Sequence, residues 1–424
     1  MNSFGKTLRS GVPALGLGLI SAFGLAAATG LAAPAAYAQK QIKSSQEFAK
    51  PMGEAQVLIG AGKYAEALAK IDQAAPHAKA ATEKLGVEQF RTAVYANTRN
   101  NAKLIQSLEA QLALGVDDNT KKRHRATIAG TYSVLGQDAK AVQLTKAYVN
   151  DYGGTADQYA YLASSSLKAK SYDEAIAYGQ KAIDQGRKEG KKPSEKWHSI
   201  VMKAQFDKGD IPAYYTSLER AAAEYPKEIY WRALIERAAK EPKYSRTATQ
   251  LDVFRAMVAA GVKLKTEEQM AMAEAALSRG LPSEAEKVFE PLFKTGAVGG
   301  ADDKNAARNN GLYTRAKADA KADAGGGLAD SEKSAATATS GQVFVETGEA
   351  YMGLGDHAKA VELINKGIAK GGMDEGQLAL AKLRLGIAQF KAGQKDDARK
   401  TWAEVKADNG AAVLAKNWTG ISKL

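Results

Sequence analysis

Small and apolar residues recur along this chain at helical spacing, and one phrase comes back at intervals. It is a glycine, a short polar turn, an alanine five residues on, and an apolar residue after it. Gly62-Lys63-Tyr64-Ala65-Glu66-Ala67-Leu68 is the first copy, and Gly136-Gln137-Asp138-Ala139-Lys140-Ala141-Val142 is the second. Further copies start at Lys170, Gly280, Gly355 and Gly393, and Gly209 opens a weaker one. The anchors lie 74, 34, 39, 71, 75 and 38 residues apart, one or two units of a period in the mid-thirties. Helix pairs have that period, so each long gap is expected to hide a degenerate pair. Residues 87–96 with 102–114, and 229–239 with 247–260, fill that role in two of the gaps. No sustained alternation of β-branched and polar residues predicts a strand.

Local chemistry points the same way. Ser44…Glu47, Ser171…Glu174, Thr266…Gln269 and Ser283…Glu286 have the spacing of capping boxes at helix starts. Pro212 and Pro282 suit first turns, while Pro76 and Pro226 suit helix ends. One stretch departs from the pattern: residues 296–341 hold few large apolar side chains, two glycine clusters and a run of Ser, Ala and Thr from Ser334 to Ser340. Residues 306–324 can form an exposed helix, and the Ser/Ala/Thr run reads as a mobile connection. The expected organisation is therefore a leader at 1–38, a repeat array at 39–295, a low-complexity, partly helical connection at 296–340, and a C-terminal pair with a capping helix at 341–424.

The phrase resembles the tetratricopeptide repeat (TPR) family. Its first-helix half is matched by Ile128-Ala129…Tyr132 before Gly136, Leu162-Ala163 before Lys170, Thr347-Gly348…Tyr351 before Gly355, and Leu385-Gly386 before Gly393. Many of the family's aromatics and its closing proline are missing. The resemblance implies an all-α fold of about nine or ten helix-turn-helix repeats, stacked into a right-handed α-solenoid. It also implies a partner held on the concave face, without catalysis.

The N-terminus adds a compartment. Lys6 and Arg9 precede an apolar stretch from Val12 to Leu31, and Ala36-Tyr37-Ala38 follows. That order predicts a signal peptide cleaved after Ala38 and a periplasmic protein; an uncleaved anchor in the inner membrane is the alternative. The 424 residues carry 59 Lys+Arg against 47 Asp+Glu, a formal +12 that becomes +10 without Lys6 and Arg9. With no cysteine, disulfides and thiolate chemistry are excluded.

The catalytic inventory is thin. His77, His124, His198 and His357 fall on different repeats and read as surface or turn residues. No phosphate-cradling loop, dinucleotide fingerprint or serine elbow is present, so the reading is of a non-enzyme with no metal or cofactor and no evident small-molecule substrate. Asn417-Trp418-Thr419 has the three-residue pattern of a glycosylation acceptor. The family's lysine and asparagine clamp for a peptide carboxylate is missing from the matching positions. In its place stands an apolar, Met-bearing line: Met270, Leu277, Val345, Met352, Leu383, Ile387 and Phe390. These residues are either a groove for an apolar or amphipathic peptide, or core packed against the next repeat. Two basic clusters, Lys121-Lys122-Arg123 with Arg125, and Arg187-Lys188 with Lys191-Lys192, offer a second surface for anionic lipid or a cell-wall polymer. Nucleic acid is not expected, because no recognition fold accompanies the charge. The leading reading is a periplasmic scaffold for a protein or peptide in envelope assembly or transport. The others are an envelope-docking module and an accessory subunit of an envelope enzyme or transport complex.

Overall fold

The computed structural model describes residues 44–424, so the leader and its cleavage site lie outside the described residues. Among those residues the chain forms 21 α-helices and no strand. It divides into two compact units, up to Ala204 and from Gln205 onward, with the division falling inside one helix. The first unit holds α1 (Gln46–Gly60), α2 (Tyr64–Ala74), α3 (Ala81–Asn97), α4 (Asn101–Leu114), α5 (Asp118–Val134), α6 (Asp138–Tyr152), α7 (Ala156–Lys168), α8 (Tyr172–Lys188) and most of α9 (Glu195–Lys208). Each odd helix of α1–α8 packs antiparallel on the even helix that follows. These are the helix pairs that the period demands.

One turn geometry makes the pairs. Gly62, Gly136, Gly209, Gly280, Gly355 and Gly393 all adopt positive φ, between 69° and 106°. The next residue's amide donates to a carbonyl five positions back, as Gln137 N does to Tyr132 O at 3.0 Å and Gln394 N to Gln389 O at 2.8 Å. This is the Schellman closure, which satisfies carbonyls orphaned at a helix end and favours glycine because no Cβ opposes the left-handed backbone. Lys170 and Arg99 hold the same conformation without being glycine, at φ 59° and 54°. Arg99 is the hidden anchor between Gly62 and Gly136, and α3 and α4 are the degenerate pair it joins. The alanine five residues on from each full anchor (Ala67, Ala141, Ala175, Ala285, Ala360, Ala398) is completely buried. A methyl group there lets the two helices of a pair approach closely, and a larger side chain would push them apart.

The second unit holds α10 (Ile211–Glu224), α11 (Glu228–Glu236), α12 (Arg246–Ala259), α13 (Thr266–Ser278), α14 (Pro282–Lys294), α15 (Ala306–Ala322), α16 (Leu328–Thr337), α17 (Gln342–Leu354), α18 (His357–Lys370), α19 (Glu375–Lys391), α20 (Lys395–Ala403) and α21 (Ala411–Ile421). Here the pairing is less regular. A longer link without a left-handed residue joins α11 to α12, so the predicted pair at 229–260 is two helices without the phrase's turn. The last helix, α21, packs on α19 and α20 and also returns to α11 and α12. Asn417 Nδ2 donates to Leu234 O at 3.1 Å, which buries the glycosylation-like triplet's asparagine.

Three expectations are corrected. Residues 296–340 hold the expected helix as α15, and α16 takes in the first half of the Ser334–Ser340 run. α15 packs on α14 and α16 on α17, joined by a π-turn at Asp323–Gly327 in which Gly326 takes φ 123°. Ala316, Ala320, Leu328 and Ala335 are buried, because small side chains suffice to seat a helix on a neighbour at close range. Glu332 ties the segment down: it accepts from Tyr351 Oη at 2.6 Å, which pushes the phenol up to about 12, and pairs with Lys359 at 3.0 Å. The segment therefore lies within the second unit and does not separate two domains. The capping boxes are also displaced. Ser45, Thr155 and Asp374 cap their helices, and the reciprocal boxes are Thr155 with Gln158 and Asp374 with Gln377. Glu174 instead binds Lys146 at 2.7 Å and Ser166 at 3.0 Å. Lastly, His198 is not on the surface but buried in α9.

Candidate functional site

The apolar line that reads as either groove or core falls in the second unit, where the chain itself covers most of it. Val345, Leu383 and Ile387 are fully buried, Met352 and Leu277 nearly so, and Met270 and Phe390 are half-buried. The cause lies in the helices that carry them. On α19 every residue from Leu383 to Gln389 is buried, and α12 is buried continuously from Leu251 to Met257. A helix covered on all sides is a core helix, whatever its position in a repeat. α17 lies between α14, α16, α18 and α19, while α21 covers α19. Phe390 packs against the rings of Trp402 and Trp418, at 6.1 and 5.8 Å between centroids. Five of the seven are core residues and Phe390 packs on two tryptophans, which leaves Met270 half-buried.

At the meeting of these core helices lies a feature the sequence reading passed over, a buried cluster of six charges. Asp252 on α12 accepts from Arg255 at 2.9 Å and from Arg384 of α19 at 2.9 and 3.1 Å. Arg255 also donates to both oxygens of Glu284 on α14, at 2.9 and 2.5 Å, and to Glu349 on α17 at 2.9 Å. Arg279, at the end of α13, hydrogen-bonds Glu349 and lies 3.5 Å from Asp252. Three guanidiniums thus face three carboxylates. Burial alone would raise the Asp252 carboxyl, but the Arg384, Arg279 and Arg255 charges outweigh it and hold it far below the ordinary aspartate range. Glu284 is likewise lowered, with Arg255 outweighing its burial. With its charges matched, the cluster specifies how five helices meet, and only Glu284 and Arg279 at its edge keep some exposure. Its sequence trace was the occurrence of single charges inside otherwise apolar stretches, as in Leu251-Asp252-Val253-Phe254-Arg255-Ala256-Met257 and Leu383-Arg384-Leu385.

The first unit presents a different surface. The positions that correspond to the filled line are small on two of its first helices, Ala126 and Gly130 on α5 and Ala160 and Ser164 on α7, all half-buried, whereas α1 has Met52, Gln56 and Ile59 there. Around them the unit carries eight half-buried tyrosines, among them Tyr95 on α3, Tyr132 on α5, and Tyr159 and Tyr161 on α7. Tyr161 Oη is buried without a hydrogen-bond partner. Lys181 lies 5.7 Å from the ring centroids of both Tyr159 and Tyr178. A polar chain joins α3, α4 and α5: His124 Nε2 meets Gln111 Oε1 at 3.0 Å, and Gln111 Nε2 donates to Thr92 Oγ1 at 2.7 Å. Burial, then the neighbouring Arg123, lowers the His124 imidazole.

The first basic cluster sits on a helix, and the second runs from the end of α8 into the link before α9. Lys121, Lys122, Arg123 and Arg125 occupy the first turns of α5, and the first three are exposed. Arg125 is engaged by Asp151 at 2.6 Å and by Tyr152 Oη at 3.2 Å, and Lys122 lies over the Tyr152 ring. Arg187 and Lys188 end α8, where positive charge favours the helix dipole, and Arg187 pairs with Asp184 at 3.5 Å. Lys191 pairs with Glu189 at 2.9 Å, and Lys192 is exposed. Nearby acids thus partly neutralise both clusters. Among the described residues no group of His, Asp and Glu is placed to hold a metal ion, and no helix is long and apolar enough to cross a membrane.

No family model matches this chain, and no curated protein matches it. The solved structures similar to it are tetratricopeptide repeat proteins. One is YrrB, described as a TPR protein with an unusual peptide-binding site: 13% identical, covering 43% of this chain and 89% of its own, TM-score 0.31. Another is a tetratricopeptide repeat protein from Parabacteroides merdae: 10% identical, covering 80% of this chain and all of its own, TM-score 0.31. A third is the TPR2AB domain of yeast Sti1 in complex with pHSP90: 13% identical, covering 72% of this chain and all of its own, TM-score 0.23. Overlaps this loose carry no argument about what the chain binds, and its all-α helix-pair fold stands on its own turns and helices.

Proposed function

We propose that this chain is a non-catalytic scaffold that binds a protein or peptide through the first unit, on the first-helix faces of α3, α5 and α7. One observation carries the reading: Ala126, Gly130, Ala160 and Ser164 on α5 and α7 are half-buried, as are Tyr95, Tyr132, Tyr159 and Tyr161 on α3, α5 and α7, whereas Val345, Leu383 and Ile387 on the matching line of the second unit are fully buried. Half-buried tyrosine suits a protein interface, because its ring supplies contact area at low entropic cost and its hydroxyl still bonds. Small residues between the rings make room for a partner's side chains. The leader-like N-terminus supports a periplasmic reading, with a role in envelope assembly or transport.

Photoreactive residues introduced at Gly130 and Ser164, with a control at the exposed Lys366 of α18, test the binding face in intact cells. A discrete adduct from the first two and none from the control is the expected result. Equal labelling at all three, or at none, would overturn the assignment. Release of the protein by osmotic shock tests the compartment separately.

A further inference from the structure

A half-open hollow of about 350 Å³ lies in the second unit, where the ends of α14, α17, α18 and α19 meet. Glu284, Lys287, Met352, Gly353, His357 and Lys391 line it. Its charges do not balance. Arg255 occupies both oxygens of Glu284, at 2.9 and 2.5 Å, so that carboxylate is spent. Asp356, beside His357, turns its side chain to the backbone amide of Lys359 and caps α18. Lys287 donates to Gly353 O at 2.6 Å, but a carbonyl does not neutralise an ammonium. Among the described residues Lys391 has no hydrogen-bond or ion-pair partner, and His357 Nδ1 is buried without one. Two lysines, both exposed at its mouth, and the ring of His357 therefore border one space, and Met352 gives it an apolar wall.

We propose that this hollow binds a small organic dianion, its oxyanion group held by Lys391, His357 and Lys287 and its organic part against Met352. The volume exceeds what a bare ion needs and falls within the range of small-ligand pockets, about 300–1,000 Å³. Phosphate monoesters and dicarboxylates share the required chemistry. The electrostatics agree. Desolvation, then the Lys391 and Lys287 charges, hold the His357 imidazole below its ordinary range, and desolvation with the nearby Arg255 does the same to Lys391. An anion in the hollow reverses both effects, so binding near neutral pH is coupled to proton uptake. This site is independent of the partner face on the first unit and stands if that reading falls.

The test is a titration followed through the His357 imidazole proton resonances, using glycerol 2-phosphate, succinate, and sodium chloride at matched ionic strength. Saturable shifts with either dianion, and a higher apparent pKa for His357 when it is bound, are the expected result. The order of the two affinities identifies which source of the dianion the hollow prefers. Lys391→Gln should weaken binding tenfold or more, and His357→Asn should abolish the coupled proton uptake. Shifts that sodium chloride reproduces, no saturation with either dianion, or unchanged affinity in both variants would overturn the proposal.

Discussion

Asp252 and Arg384 lie 132 positions apart in the chain and are joined inside the second unit by two hydrogen bonds, at 2.9 and 3.1 Å. Neither side chain reaches solvent to any useful extent. Asp252→Ala leaves three buried guanidiniums facing two carboxylates, a defect expected to cost about 3–5 kcal/mol. Urea unfolding followed by tryptophan fluorescence measures it, since Trp231, Trp402 and Trp418 all belong to this unit. A loss under about 1 kcal/mol would mean that water enters and solvates the cluster.

The same aspartate gives a pH signature. Its carboxyl is held below the ordinary value in the folded chain, so its contribution is fully present above the unfolded pKa of about 3.9. That contribution drains away as pH falls through the lowered folded value. Wild-type melting temperature should therefore stay level from pH 7 to about 5 as far as this group is concerned and fall steeply below about 4. Asp252→Asn should start lower and descend less steeply over the acid range. Thermal melts between pH 7 and 2 check both slopes.

Arg99 and Lys170 occupy left-handed turns that six other repeats give to glycine. Replacing either by glycine removes the Cβ strain while adding flexibility to the unfolded chain, so each change should stabilise by roughly 0.5–1 kcal/mol. Gly136→Ala should destabilise by about 1 kcal/mol, for the opposite reason. Melting curves of the three single variants decide the point, and equal effects at Arg99 and Gly136 would contradict it.

Ile387→Ser and Met352→Ser discriminate core from groove. Ile387 is wholly buried, so its loss should cost about 2–5 kcal/mol, and Met352 should cost a similar amount. Chemical denaturation reads this directly. A variant as stable as the parent would restore the groove reading of the apolar line.

Gly386 touches its neighbour across a helix pair: a Cβ there would stand 2.2 Å from the Trp402 indole nitrogen, which donates to Leu383 O at 3.1 Å. Gly386→Ala must displace the ring and should cost about 1–3 kcal/mol from overpacking. Quenching or a spectral shift of tryptophan emission in the folded variant reports the displaced indole.

The helix pairs were legible because each records itself twice, in a left-handed glycine and in an alanine five residues on. Both are local requirements, visible without knowing the partner helix. Arg99 shows the limit of that legibility: its turn keeps the same geometry with an unfavourable residue, so spacing alone betrays it. The helix over 306–322 was legible, but not its packing or α16, because alanines that seat a helix look the same in sequence as alanines in a solvated linker. The apolar line stays open between groove and core in the sequence for a related reason. Nothing near Leu383 or Ile387 announces that α21 will cover α19. The buried charges were visible as exceptions to the apolar pattern, yet pairing Asp252 with Arg384 required knowing the unit's closure.

That closure bears on the order of folding. In the first unit each helix pair is completed within about one repeat of chain, so structure can form as the polypeptide appears, in small steps with cheap loops. The second unit allows no such schedule. Trp231 and Leu234 wait for α21, and Leu234 bonds an asparagine 183 residues downstream. Until that last helix arrives, α11, α12 and α19 expose apolar faces. The C-terminal half should therefore be the slow-folding half and the one that a holdase recognises.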